Sequence, residues 1–435
     1  MSWSPRTACH LGQSPDGPRS VGGLVSALRP ALEARGGVWF GWSGRAGDPE
    51  QPLQRWTESD VEYATLDLPD GDIEHYYEGF CNRVLWPLLH GMPDRAHLDP
   101  TEYEVWRGVN RRFAGRLCEL LQPDDLVWIH DYQLIPLDEE LRACGWRGAL
   151  GYFHHIPIPD AVGWSLLPHV EAITTAFRAY DLVALQTDRD RMRLASYVGE
   201  PESRFATLPI GIDPDEVRAS AAECSDDPFA AIRQGRQVVF GLDRLDYTKD
   251  VPGRFNAFAS LLEAEPTLAQ AAMLVQWSAP SRESIPEYQD ERRLVDEAAE
   301  RARHAAPDAV DLRIEVLSAA TVAAALRDAD VCLVTSIADG MNLVAKEYVA
   351  VQAPTMPGVL VLTDGCGAAE ELTEALIVPS GDALALGKAI RMALAMPLPE
   401  RVERWQALLA TVEANTASVW SQRFLTLLAE RTTRT

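Results

Sequence analysis

Two segments of this chain set charged residues just past short β-branched runs, where a strand gives way to a turn. In the first, Gly241-Leu242-Asp243-Arg244-Leu245-Asp246-Tyr247-Thr248-Lys249-Asp250 follows Val238-Val239-Phe240. A guanidinium offers a planar fork of donors and an ammonium a mobile point charge. Together they suit a diphosphate that gains charge as its bond to a sugar breaks. Facing solvent, Arg244 and Lys249 are then expected to matter to turnover and little to folding. The stretch also reads as a salt-bridged surface turn, since Asp243, Asp246 and Asp250 lie beside the cations. In the second segment, Asp339-Gly340-Met341-Asn342-Leu343-Val344-Ala345-Lys346-Glu347-Tyr348 follows Val331-Cys332-Leu333-Val334. Strand, glycine turn and helix start leave backbone N–H groups at the carboxyl edge of a sheet, where anions bind. Glu347 lies one turn beyond Leu343, and helical side chains lean toward the N-terminus, so its carboxylate can reach a diol such as a nucleotide ribose there. The competing reading is a capped helix that turns Met341, Val344, Tyr348 and Val351 to the core.

In the first half, Trp128-Ile129-His130-Asp131-Tyr132 ends one strand and Tyr152-Phe153-His154-His155-Ile156-Pro157 the next. Polar residues at the carboxyl ends of neighbouring strands point into the crevice where α/β proteins bind ligands, so Asp131 and His155 are placed to share a pocket. The His154-His155 pair is not read as a metal site, because it lacks spaced carboxylate or thiolate partners.

The elements that must position these residues follow from periodicity. Leu126 to Ile129, Leu182 to Leu185, Val238 to Phe240, Met273 to Val275, Val331 to Val334 and Val359 to Leu362 are continuous apolar runs of the kind buried parallel strands show. Between them, patterns such as Trp106, Val109, Phe113, Leu117 and Leu120 mark one face of a helix. Alternating strands and helices imply α/β layers with right-handed crossovers. At 435 residues the chain outgrows a single core. The Pro- and Gly-bearing stretch Leu208 to Pro214 separates residues 1–209 from 210–400, and residues 401–435 read as helices that pack back on the first domain.

A formal net charge of -24 opposes nucleic acid or an anionic membrane as partner, so an anionic substrate needs a local basic pocket. Seven scattered cysteines without a C-x-x-C pair suggest neither a disulfide framework nor a zinc knuckle, and no apolar leader or span is seen. A cytoplasmic protein is expected.

Taken in order, Gly22-Gly23-Leu24, Trp39 to Gly44, Leu85-Trp86-Pro87, Trp128 to Tyr132, His155-Ile156-Pro157, Arg244 to Lys249, Ala279 to Arg282 and Asp339 to Tyr348 make the chain resemble the trehalose-6-phosphate synthases, retaining glycosyltransferases of family 20. The resemblance implies a GT-B fold, two Rossmann-like domains with a deep interdomain cleft. It implies transfer of glucose from UDP-glucose or GDP-glucose to glucose 6-phosphate, giving α,α-trehalose 6-phosphate, with no cofactor and no metal. The partners implied are nucleotide-sugar and phosphosugar substrates, and a homo-oligomer is compatible with it. By resemblance Arg244 and Lys249 hold the donor diphosphate, Gly340, Met341, Asn342, Leu343 and Val344 supply backbone donors, and Glu347 takes the ribose. Asp339 and His155 grip the donor sugar and Gly22 and Gly23 close over the phosphates. Arg6, Trp42, Tyr77, Trp86, Asp131 and Arg282 form the acceptor side. Tyr77 belongs equally to a structural stripe of Ile73, Tyr77, Phe80 and Val84, and Tyr76 is the alternative contact.

The chain departs from the family pattern in several places. A strand followed by Ser-Asn-Arg is missing at the start, where Arg6 is the stand-in, and Ala338 replaces an Arg before Asp339. Asp250 replaces a Gly, His154 an apolar residue, and the Gln186 to Pro209 connection is short. These leave room for a glucosylglycerol-phosphate synthase, a cyclitol-coupling pseudo-glycosyltransferase or a non-catalytic regulatory paralogue.

Overall fold

The β-branched runs form parallel strands, and those without apolar–polar alternation are buried on both faces. The computed structural model describes residues 7–8, 27–29, 32–33, 36–58, 61–200 and 202–432. The chain divides into two units, Met1–Ile210 with Ala417–Thr435, and Gly211–Thr416. Among the described residues no helix is long and apolar enough to cross a membrane.

In the first unit β1 (Thr7–Ala8), β2 (Gly37–Ala46), β3 (Gln54–Glu58) and β4 (Val61–Leu68) make one sheet in the order β1-β2-β4-β3, with β3 antiparallel. A second, wholly parallel sheet runs in chain order through β5 (Leu126–His130), β6 (Ala149–His154), β7 (Leu182–Leu185) and β8 (Phe205–Thr207). β1 also lies beside β5, which brings the sheets edge to edge. A two-residue strand, Thr7 opposite Trp39 and Ala8 opposite Phe40, stands just after Arg6, and the strand expected before Arg6 falls outside the described residues.

Ile73–Leu85 is a π-helix of 13 residues. Its i→i+5 bonding widens the spiral. The buried stripe therefore passes through Tyr76, Phe80, Cys81, Val84 and Leu85, and leaves Ile73 and Tyr77 only partly covered. Gly79 lets the buried Glu102 approach, since a Cβ there would lie 2.5 Å from Glu102 Oε1. Arg83 Nη2 answers that carboxylate at 2.7 Å. Pro87 has no N–H for the Arg83 carbonyl four residues back, and the His97 N–H donates to that carbonyl instead, at 2.8 Å. Helix α1 (Glu102–Cys118) buries Trp106, Val109, Phe113 and Leu117, as their spacing predicts. Its Trp106 Nε1 and Asn110 Nδ2 donate to the Gln133 carbonyl, at 2.9 and 3.1 Å, just ahead of α2 (Leu137–Ala143).

The second unit holds β9 (Gln237–Arg244), β10 (Ala272–Ala279), β11 (Val310–Ile314), β12 (Val331–Val334), β13 (Val359–Thr363) and β14 (Leu376–Val378), all parallel, in the order β11-β10-β9-β12-β13-β14. This is the doubly wound dinucleotide-binding order, whose reversal between β9 and β12 opens a crevice at the strands' carboxyl ends. Helix α3 (Val251–Ala264) follows β9 and buries Val251, Phe255 and Phe258 against Val239 and Leu274. Helix α4 (Leu343–Val351) follows β12.

The C-terminal stretch does not return whole to the first unit. Helix α5 (Leu398–Ala414) belongs to the second unit, where Trp405 Nε1 donates to the Val349 carbonyl at 3.0 Å. Helix α6 (Ala417–Thr432) belongs to the first. Phe424 stacks on Trp128 with ring centres 4.2 Å apart, and Trp420 lies 4.9 Å from the same ring. Gly151 of β6 makes this docking possible, because a Cβ there would meet Phe424 Cζ at 2.7 Å and Leu428 Cδ2 at 2.9 Å. Phe424→Ala is expected to cost the first unit about 3–5 kcal/mol and Gly151→Ala about 1–3 kcal/mol. Gly151→Ala combined with Phe424→Leu should recover part of the second loss in urea unfolding; strict additivity of the two changes would contradict this docking.

Candidate active site

The carboxyl end of β9 carries a carboxylate that the sequence offered only as a surface partner. Asp243 is buried and lies 2.5 Å from Arg254 Nη1, an arginine with no exposed surface on the inner face of α3. Burial pushes the Asp243 carboxyl up, against the pull of Arg254 and Lys249. The same guanidinium donates from Nε to Thr335 Oγ1 (2.6 Å) and from Nη1 to Gln276 Oε1 (2.9 Å), and its Nη2 reaches the Lys249 carbonyl at 3.5 Å. Gly241 leaves it room, as a Cβ there would meet Gln276 Oε1 at 2.1 Å.

Asp246 Oδ1 caps the short turn Tyr247–Lys249 through the Thr248 N–H, at 3.1 Å, and Asp250, with φ 52°, caps α3 through the Gly253 N–H, at 3.2 Å. All three aspartates thus have structural work, Asp243 at the strand end and Asp246 and Asp250 within the turn. Lys249 pairs instead with Asp339, ninety residues away in sequence. Burial opposes the Lys249 charge, but Asp339 and Asp243 outweigh it and raise its pKa. Lys249 is 12% exposed, so the solvent-facing cation read from the sequence describes the exposed Arg244 and not Lys249.

Asp339 is set by its own loop. Its N–H donates to the Gly365 carbonyl and its carbonyl accepts from the Gly367 N–H, both at 3.0 Å. Its carboxylate also accepts from Ser336 Oγ and Asn342 Nδ2, both at 3.1 Å. Asn342, with φ 72°, precedes α4 but turns its side chain to Asp339 and does not cap the helix. The N-terminal N–H groups of α4 at Leu343 and Val344 are therefore without a side-chain cap. Gly340 and Met341 are buried, and the Met341 carbonyl accepts from the Ala368 N–H at 2.9 Å. Met341, Tyr348 and Val351 do face the core, with Val344 only partly covered. Glu347 is partly covered too, and burial pushes its carboxyl up to about 7.

Arg282 also lies in the second unit, with φ 48° and its guanidinium over the Tyr288 ring, 5.3 Å from the centre. It hydrogen-bonds Tyr288 Oη and pairs with Asp246 Oδ2 at 3.3 Å. Burial would raise the Asp246 carboxyl, but Arg282, Arg244 and Lys249 hold it below the usual range.

In the first unit Asp131 follows β5 with φ 72° and ψ 169°, a backbone region that residues other than glycine rarely occupy. Its N–H donates to the Phe153 carbonyl at 2.9 Å, and its Oδ1 accepts from the His155 N–H at 3.2 Å. The two residues expected to share a pocket are thus bonded to each other. The Ile210 N–H donates to Gln186 Oε1 at 2.9 Å, which turns Gln186 Nε2 toward His155 Nδ1, 3.4 Å away. With Nδ1 accepting, the His155 ring proton lies on Nε2, where His130 Nδ1 receives it at 2.9 Å. Trp42 and Tyr77 meet with ring centres 5.5 Å apart, whereas Tyr76 is fully buried. Trp86 is 5% exposed and packs against His90 and Tyr132, so it serves the interior as well. His154, in place of an apolar residue, is buried against Tyr152 Oη at 2.9 Å, and burial depresses its pKa to about 3. Arg6, Gly22 and Gly23 lie outside the described residues. Arg254, Gln186 and His130 were missed by sequence reasoning. Only Arg254 left a trace, as a charge on the apolar face Val251, Phe255, Phe258.

Among the described residues no group of three His, Cys, Asp or Glu is placed to hold a metal ion. The chain is 36% identical over 438 residues to a trehalose-6-phosphate synthase of Enterobacter sp. (strain 638), covering 95% of this chain and 92% of that one. A Burkholderia xenovorans α,α-trehalose-phosphate synthase (UDP-forming), solved in complex with glucose-6-phosphate, is similar with a TM-score of 0.93 and 34% identity, over 98% of this chain and 100% of that one. A structure from E. coli described as bound with UDP-2-fluoro glucose is similar with a TM-score of 0.92 and 34% identity, over 98% and 99%. The profile of glycosyltransferase family 20 matches residues 13–430, and with the doubly wound sheet and the loop geometry at its switch point this places the chain in that family.

Proposed function

We propose that this chain moves glucose from a nucleotide-activated glucose to glucose 6-phosphate, retaining configuration and giving α,α-trehalose 6-phosphate. The carrying observation is the switch point of the second unit. There Arg244 and Lys249 follow β9, Asp339 and an uncapped helix N-terminus follow β12, and a carboxylate stands one turn inside that helix. The relatives described as trehalose-6-phosphate synthases, one with glucose-6-phosphate and one with UDP-2-fluoro glucose, support the same reading.

In this reading Arg244 and Lys249 take the donor diphosphate, with the backbone from Gly340 to Val344 donating to it. Asp339 and His155 take hydroxyls of the donor sugar, and Glu347 the ribose diol. Asp131, Trp42, Tyr77, Trp86 and Arg282 serve the acceptor. As the glycosidic bond lengthens, negative charge accumulates on the diphosphate. Cations already fixed in place stabilise that charge with little reorganisation, and the departing phosphate assists attack of the acceptor hydroxyl from the same face. Lys249 must then share its charge between Asp339 and phosphate.

Nucleoside diphosphate should be released from UDP-glucose or GDP-glucose only when a phosphosugar such as glucose 6-phosphate is added, also in excess chelator because Arg244 and Lys249 neutralise the diphosphate. A coupled release assay with product identification tests this, and a folded protein inert toward every donor and acceptor pair would instead indicate a regulatory paralogue.

Arg244→Ala and Lys249→Ala should each lower kcat on the order of a hundredfold or more. Arg244→Ala should lower the thermal melt only slightly, through the lost pull on Asp246, whereas Lys249→Ala, by stranding Asp339, should cost about 1.5–3 kcal/mol. Near-normal turnover in both variants would refute the assignment.

Glu347 links site and pH. Its carboxyl ordinarily ionises near 4.5 and in the folded protein near 7, so between these values the folded state holds a proton that the unfolded state has lost. Its contribution to stability is full below about 4.5 and disappears as pH rises through about 7. Ribose hydroxyls donating to the carboxylate favour the ionised form, so UDP binding should release a proton just below pH 7 and tighten as pH rises. Calorimetry in buffers of different ionisation heat should show smaller release for Glu347→Gln; equal release in both proteins would exclude this role.

A further inference from the structure

We propose that Glu371 is a positioning residue for the transfer reaction: gripped by Lys346 and Asn415, it holds the segment Gly340 to Val344 in place beside Asp339. The inference rests on the reading above, in which that segment and Asp339 take the donor. Lys346, one position before Glu347 on α4, does not face the crevice as a free cation. Its side chain is 1% exposed, and its Nζ donates to Glu371 Oε2 at 2.5 Å. Glu371 directly follows the turn Gly367–Glu370, which comes after β13. The N–H groups of Gly367 and Ala368 donate to the Asp339 and Met341 carbonyls, at 3.0 and 2.9 Å. Backbone bonds thus fasten the turn to the donor loop, and the ion pair fastens the same turn to α4. Loop, helix and turn close into a ring with Glu371 at its join.

The other carboxylate oxygen, Glu371 Oε1, accepts from Asn415 Nδ2 at 3.0 Å. Asn415 is the C-cap of α5, whose Trp405 is bonded to the Val349 carbonyl of α4. Its own place is fixed by Gly211, where a Cβ would lie 1.9 Å from the Asn415 carbonyl oxygen. The ring is therefore anchored from outside as well. Stability alone does not account for the ion pair. Burial disfavours the Lys346 charge more than Glu371 restores it, and well-packed apolar residues in place of a buried ion pair commonly fold as well or better. What the charged pair adds is a fixed direction and distance. Groups that meet a reacting substrate need that precision, since a misplacement of about 1 Å can cost about a hundredfold in rate.

The test takes the full-length protein with Lys346→Met, Glu371→Leu, both together, and Asn415→Ala. It reads thermal melting, kinetics with UDP-glucose and glucose 6-phosphate, and the crystal structure of the double variant. Each single change at the pair strands a buried charge and should lower the melt. The double variant should regain the wild-type melt while kcat stays down by about 10–100-fold and the KM for glucose 6-phosphate is unchanged. Its crystal structure should show Gly340 to Val344 displaced relative to β12. Asn415→Ala, at a partly exposed position, should keep the melt and lower kcat by less than the double variant does. A double variant that regains turnover along with its melt would overturn the proposal, and so would an undisplaced loop. Should the double variant not fold, wild-type kcat in Asn415→Ala would overturn it. A wild type inert toward every donor and acceptor pair would sink the proposed reaction instead, and the position of the loop in the crystal would still decide what Glu371 holds.

Discussion

One buried guanidinium organises the second unit's site. Arg254 reaches the carboxyl end of β9 through Asp243, β10 through Gln276, β12 through Thr335, and the carbonyl of Lys249. A charge with no exposed surface is tolerable only when its donors are matched, and removing any one partner leaves the others paying the desolvation cost. Lys249 is held where it is by this demand, because its own carbonyl is one of the acceptors. The Ile337 N–H, which donates to the Thr248 carbonyl at 2.8 Å, joins the two loops directly, so the cation after β9 and the carboxylate after β12 are set by one network.

The first unit solves the same problem differently. It fixes Asp131 by strain, holding a backbone conformation worth about 1–3 kcal/mol of penalty through bonds to β6 and the following turn. His155 is then aimed by a chain of polar contacts running from Ile210 through Gln186 to His130. In a protein of net charge -24, the cations Lys249 and Arg282 each sit against a carboxylate, Asp339 and Asp246. Positive charge is concentrated at a few positions whose counter-charges are chosen by the fold.

The fold was legible because strands buried on both faces must be apolar throughout, which makes β5, β9, β12 and β13 conspicuous even in isolation. Charged residues at strand ends were legible as candidates because each ends an apolar run, although Asp243, Asp246 and Asp250 serve the structure itself. The π-helix was not, since its register depends on Glu102 entering beside Gly79 from a separate helix, and the stripe Ile73, Tyr77, Phe80, Val84 fits an ordinary helix well. Nor was the pairing of Lys249 with Asp339, which three nearer aspartates concealed. The division of the C-terminal helices was equally hidden, because α5 and α6 carry similar apolar stripes and differ only in the surface that receives them.

The docking of α6 on Trp128 and Gly151 makes the first unit discontinuous in sequence. A ribosome must therefore finish all of Gly211–Thr416 before the helix that covers β5 and β6 exists. At ~5–20 residues per second, those roughly 200 residues take about 10–40 seconds. Through that interval the apolar face around Trp128 and Phe153 waits without its partner, while the second unit, uninterrupted in the chain, is free to fold first. The order of synthesis is thus inverted in the order of completion.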